Sequence, residues 1–150
     1  MSTNAGIGLL MPDGTIKAVY LHWDGYIREG AGETLAEHYT DRAKVEKLIA
    51  LGFLSSLGAE VESDPTSPHS WESPQRNVTV AYHRDRNEPL RAAIKVKDKE
   101  SFPEVAKSSL CAQFVYLFED GHWLVCDLHS SMRHWKWEVL TDVLGLSSAH

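Results

Sequence analysis

Two Asp-Gly dipeptides, Asp13-Gly14 and Asp120-Gly121, each interrupt an apolar run, and they constrain the fold more than any other feature of the chain. Asp-Gly between alternating apolar segments is the strongest short-range hairpin signal, because both residues tolerate the positive φ of a tight turn. The second instance, CAQFVYLFEDGHWLVCDLH, is the more demanding. A two-residue turn pairs Phe118 with Trp123, Tyr116 with Val125 and Phe114 with Asp127. One face then carries Phe114, Tyr116, Phe118, Trp123 and Val125, and the other Val115, Leu117, Leu124 and Cys126. Both faces are apolar. Such a hairpin is either central in a layered domain or covered on one side by a partner.

The first hairpin lies in GIGLLMPDGTIKAVYLHW. With Asp13-Gly14 at the tip, Pro12 faces Thr15, Met11 faces Ile16, Leu9 faces Ala18 and Ile7 faces Tyr20. Alternation puts Ile7, Leu9, Met11, Ile16, Ala18 and Tyr20 on one face. His22 and Asp24 extend that face, and Val19, Leu21 and Trp23 take the other.

Between the hairpins, GETLAEHY reads as a short helix, and DRAKVEKLIALG as a second one with Val45, Leu48 and Ile49 as its apolar stripe. Thr40 or Asp41 is placed to cap it and Gly52 to stop it. Residues 59–76 turn rich in proline and serine and are expected as a flexible exposed loop, with Trp71 its one large side chain. A strand is expected from Val78 to about His83, and another within LRAAIKVKD. SFPEVAKSSL promises a helical turn or two, with Ser101 as cap and Pro103 in the first turn. WKWEVLTDVLGL has helical spacing at Val139, Leu140, Val143 and Leu144. Strands, helices and strands again define one α+β domain over residues 1–150, with a mostly antiparallel sheet and three to four short helices packed on it.

Totals narrow the function. A chain of 150 residues suffices for one core, and 43% hydrophobic with 24% charged residues is ordinary for a globular protein. No apolar run reaches the roughly 18 residues that a membrane span needs. The start MSTNAGIGLL lacks the basic segment of a secretory signal. Two cysteines make no disulfide framework, so a reducing cytoplasm is the expected setting. Cys126 falls opposite Val115 and not Cys111, and both thiols read as small core residues. A net charge of -6 works against nucleic-acid binding, which rests on neutralising phosphates. The chain has no P-loop, no G-x-G-x-x-G and no G-x-S-x-G, and no cofactor is implied.

What remains are small constellations. His22-Trp23-Asp24 and His83-Arg84-Asp85 are both His-x-Asp at expected strand ends, where residues two apart share a face. With His38 added, such a set suits zinc or another divalent metal, although eight histidines make chance pairs common. Arg84 and Arg86, flanking Asp85, would grip a phosphate or carboxylate, or else pair internally. If the HWDGY and YHRDR segments meet, His22, Asp24, Tyr26, His38, His83, Arg84 and Arg86 would surround a nucleotide or other anion. Trp123, Trp135 and Trp137 are the candidate anchors for a protein partner. Cys126 and His129 alone make a poor zinc motif.

The ordered set HWDGY, GETLAEHY, ALG with SSLG, AYHRDRNE and YLFEDGHW resembles a family of small uncharacterised bacteriophage and prophage proteins, over most of the chain except the Pro/Ser-rich loop. No catalytic residues are established for that family, so none carry over. The resemblance implies an accessory protein in a host-cell cytoplasm that manages host machinery or host defence. The expectation that follows is a non-enzymatic protein that binds a host protein, with a homodimer left open. Sequestration of a nucleotide-like anion is the second expectation, and a metal-dependent hydrolase built on the His/Asp set the third.

Overall fold

A computed structural model describes residues 3–66, 69, 70, 72 and 74–146. Expectations for Trp71 lie outside these residues. The described chain forms β1 (Ala5–Leu10), β2 (Ile16–Leu21), α1 (Ala31–His38), α2 (Arg42–Ala50), β3 (Leu54–Ser56), β4 (Val80–Ala81), α3 (Tyr82–Arg86) and β5 (Ile94–Val96). There follow α4 (Phe102–Leu110), β6 (Phe114–Glu119), β7 (His122–Asp127), a 3-10 turn (Met132–His134), β8 (Glu138–Val139) and α5 (Leu140–Leu144). The class is α+β, as the alternation of elements implied. All eight strands join one sheet in the order β4-β3-β2-β1-β6-β7-β8, with β5 also pairing β2. The hairpin, β5, β4 and β8 pairings are antiparallel; β1 with β6 and β2 with β3 are parallel.

The second hairpin has the expected register, Phe118 opposite Trp123 and Tyr116 opposite Val125. Its two apolar faces are both buried inside the domain, because β6 lies between β1 and β7 with helices on either side.

The first hairpin is one residue out from the expectation. Leu9 faces Lys17, Ile7 faces Val19 and Gly8 faces Ala18. The loop spans three residues, closed by the Met11 N–H on the Thr15 carbonyl at 2.8 Å and the Gly14 N–H on Met11 at 2.9 Å. Pro12 sets the φ for the first central position of a type I turn, and Gly14 at φ 88 supplies the left-handed bulge residue. The shift exchanges faces. Ile7 and Leu9 now share a face with Val19 and Leu21, whereas Ile16, Ala18 and Tyr20 lie with Gly6 and Gly8. His22 follows the Gly6/Gly8 face, and Asp24 has left the strand altogether.

The two faces have different cover. On the Leu9 face lie α2 and α1, with α5 packed on β7 and α1. On the other, α4 comes so near β1 that a Cβ at Gly8 would lie 2.5 Å from the Phe102 ring. At Gly6 it would meet Leu110 and Ala106. Glycine in mid-strand here serves helix approach and not flexibility.

Three further expectations are corrected. YHRDR is the helix α3 and not the end of a strand, so His83 and Asp85 do not share a face as an extended chain would require. Asp41, one of the two expected caps, holds the N-cap position of α2, but its side chain does not make the capping bond expected of it. Trp135 to Val139 is not helical: Glu138–Val139 forms β8, and α5 is confined to Leu140–Leu144. The alternation Trp135, Lys136, Trp137, Glu138 is a strand period, and Gly145 at φ 75 ends the short helix.

Candidate functional site

HWDGY is a corner that launches α1. Asp24 takes a left-handed φ of 56 and its carbonyl accepts the Ala31 N–H at 2.8 Å. The Tyr26 and Ile27 carbonyls accept the N–H groups of Gly32 and Glu33, each at 3.0 Å. Backbone carbonyls thus replace the missing side-chain cap of α1. The Gly25 N–H donates to Thr3 at 2.8 Å, and the Gly25 carbonyl accepts the buried Tyr116 hydroxyl at 2.7 Å. A Cβ at Gly25 would stand 2.8 Å from the Thr3 oxygen. Trp23 and Tyr26 are each 45% exposed.

His22 is half-buried, with Nδ1 2.6 Å from the Tyr20 hydroxyl. Burial raises the Tyr20 pKa, so the phenol keeps its proton, and the histidine tautomer sets which of the two donates. His38 is exposed at the far end of α1, 3.8 Å from Glu37. His83 sits 2.8 Å, through Nδ1, from the Glu88 carbonyl. The three histidines therefore have three separate local partners. Among the described residues, no three His, Cys, Asp or Glu side chains come together as a metal site.

The arginines are engaged internally. Arg84 forks onto Asp85 at 2.9 and 3.0 Å and donates to the Val61 and Thr79 carbonyls at 2.7 and 2.9 Å. Arg86 pairs with Glu88 at 2.8 Å and lies over the Tyr82 ring. Asp85 also accepts the Ala81 N–H at 2.8 Å and stands 3.5 Å from His69. The side chains of His69 and Asp85 are each 4% exposed. His69 Nδ1 accepts the Gln75 N–H at 2.9 Å, and Gln75 and Asp64 bond reciprocally across the base of the Pro/Ser-rich segment. This histidine went unread in the sequence; its only local signal is a charged helix beginning at Tyr82, which brings Asp85 one turn from Ala81.

Trp123 is core: its indole N–H donates to Tyr39 at 2.8 Å and its ring meets Phe118 edge-on at 5.1 Å. It offers no surface to a partner. Trp135 and Trp137 are half-buried, the first bonded to the Ser130 carbonyl at 2.9 Å and the second 6.0 Å from the Phe102 ring. With Pro103, Cys126 and Met132 they line a shallow groove of about 280 Å³.

A larger cleft lies elsewhere, at about 790 Å³ between α2, the first hairpin tip and β5. Leu9, Met11, Ile49, Ala50 and Ala93 line it, and Lys17 and Lys95 stand on its rim with Asp13 and Glu46. Lys17 and Lys95 are directly opposite each other across β2 and β5. Like charges so placed repel, and among the described residues neither ammonium has a carboxylate within 4.0 Å. Glu46 is held by Arg42 at 3.3 Å, and Asp13 accepts the Thr15 N–H and hydroxyl at 3.0 and 2.6 Å. Those two hydrogen bonds hold the Asp13 pKa below its ordinary value. None of the sequence candidates lines this cleft. Compared with known proteins, the chain matches no family model, no curated protein and no solved structure.

Proposed function

We propose that this is a non-enzymatic binding protein that holds an anionic ligand in the cleft between α2 and β5. The observation that carries the reading is the Lys17–Lys95 pair. Two cations, neither with a carboxylate within 4.0 Å among the described residues, face each other over an apolar floor that Asp13 and Glu46 border. An apolar pocket with a few convergent charged groups is the general form of a small-ligand site.

Support for a small ligand over a host protein docked on the second hairpin comes from burial, since β6 and β7 have both faces in the core. In the HWDGY and YHRDR segments, His22, His83, Arg84 and Arg86 each have a local hydrogen-bond or ion-pair partner. Lys17 and Lys95, by contrast, have no carboxylate within 4.0 Å among the described residues. In the phage-type setting that the resemblance implies, the protein would sequester a host metabolite in the host-cell cytoplasm. Thermal denaturation with a panel of small anions tests the reading. A true ligand raises the melting temperature with concentration, following the logarithmic dependence of linked binding. The rise should vanish in a Lys17→Gln/Lys95→Gln double variant. A flat response across the panel would refute the cleft as a binding site.

A further inference from the structure

We infer that the ligand of this cleft is a single carboxylate on an aliphatic chain; the inference rests on the cleft being a binding site at all. The lining carries the first part. Its apolar side chains are Leu9, Met11, Pro12, Ile49 and alanines, with no aromatic ring among them, so a nucleobase has nothing to stack on. Alkyl chains, by contrast, pack well against Leu, Ile and the adaptable thioether of Met.

Charge carries the second part. Lys17 and Lys95 face each other with no carboxylate within 4.0 Å among the described residues. The two carboxylates of the lining are engaged elsewhere, Glu46 by Arg42 and Asp13 by Thr15, so a carboxylate seated between the two ammoniums relieves their repulsion. The C-terminal turn of α2, whose Ile49 and Ala50 line the cleft and whose carbonyl end carries partial negative charge, opposes a dianionic phosphate more strongly than a singly charged carboxylate. The cations in the lining are lysines, which act as point charges; no arginine fork lines the cleft for bidentate phosphate recognition.

Isothermal titration with octanoate, decanoate and dodecanoate below their micellar concentrations tests the assignment. Each added pair of methylenes should tighten Kd roughly tenfold. Decanol should bind far more weakly than decanoate. The Lys17→Gln/Lys95→Gln protein should lose that preference for the acid, and Ala50→Trp, on an exposed helix position that fills the cleft, should block both. Adenosine monophosphate and decyl phosphate complete the series. If decyl phosphate or the nucleotide binds and decanoate does not, the carboxylate assignment falls while the cleft stands. If decanoate binds equally well to wild type, the lysine double variant and Ala50→Trp, its binding is non-specific and the inference is overturned. If no member binds, the cleft reading itself fails.

Discussion

The Tyr116 hydroxyl donates to the Gly25 carbonyl at 2.7 Å, joining residues 91 apart in sequence. The bond ties the centre of the sheet to the corner that launches α1. Burial pushes the Tyr116 pKa well above its ordinary value, so the phenol remains a donor at any physiological pH. Tyr116→Phe leaves the Gly25 carbonyl without its partner, at a cost of about 1–3 kcal/mol. Tyr20→Phe, whose partner His22 is only half-buried, should cost less than half as much. Urea denaturation of the two variants would give that ranking, and equal losses would show that the corner does not depend on Tyr116.

Gly8 sets how closely α4 lies on the sheet. An added Cβ would stand 2.5 Å from Phe102 Cε2 and 2.8 Å from Ile16 Cγ2, and both side chains are fully buried. Gly8→Ala should therefore destabilise by roughly 1–3 kcal/mol through overpacking. Shortening the opposing ring in Gly8→Ala/Phe102→Leu should recover part of that loss. A double-mutant cycle with no coupling energy would rule out the direct contact.

The second hairpin was legible to the residue because Asp120 and Gly121 both take positive φ, 51 and 85, as a two-residue turn requires. The first contains the same dipeptide and folds differently. Pro12 commits Pro12-Asp13 to the centre of a type I turn, and only Gly14 is left-handed. That signal was in the sequence, and reading Pro-Asp-Gly as a unit would have placed His22 on its true face. The cleft was not legible. It depends on β5 pairing with β2 in a register that sets Lys95 opposite Lys17, and no local pattern encodes a pairing between segments so far apart. HWDGY drew attention as a cluster of polar residues, yet most of its hydrogen bonds use backbone carbonyls, which any sequence possesses.

Asp85 is the knot between α3 and the Pro/Ser-rich segment. Its carboxylate takes Arg84, the Ala81 N–H and His69, with the side chain almost wholly buried. Asp85→Ala should cost about 2–3 kcal/mol, the lower part of the range for a broken buried pair, because Arg84 remains 30% exposed. His83→Ala, at an exposed site, should stay within about 0.5 kcal/mol. Hydrogen exchange gives a local readout, since the Gln75 amide rests on His69. That amide should exchange faster in Asp85→Ala than global destabilisation explains, and unchanged protection would separate Asp85 from the loop.

Alkali should unfold the protein through groups that folding keeps neutral. Burial pushes the Cys126 thiol from 9.0 up to about 11, and the Tyr39 hydroxyl from 10.0 up to about 12. Below pH 9 both groups hold their protons in the folded and unfolded states alike, and their contribution to stability is complete. Above that, the unfolded chain ionises first, so stability falls as pH rises from about 9 to 12. Cys126→Ala should remove the portion between about 9 and 11, and Tyr39→Phe the portion between about 10 and 12. The same burial predicts thiol chemistry. Cys111 is exposed and Cys126 buried, so iodoacetamide at neutral pH should label Cys111 in the native protein and reach Cys126 only after denaturation. Rapid native labelling of Cys126, together with a flat stability profile above pH 9, would contradict the placement of its thiol in the core.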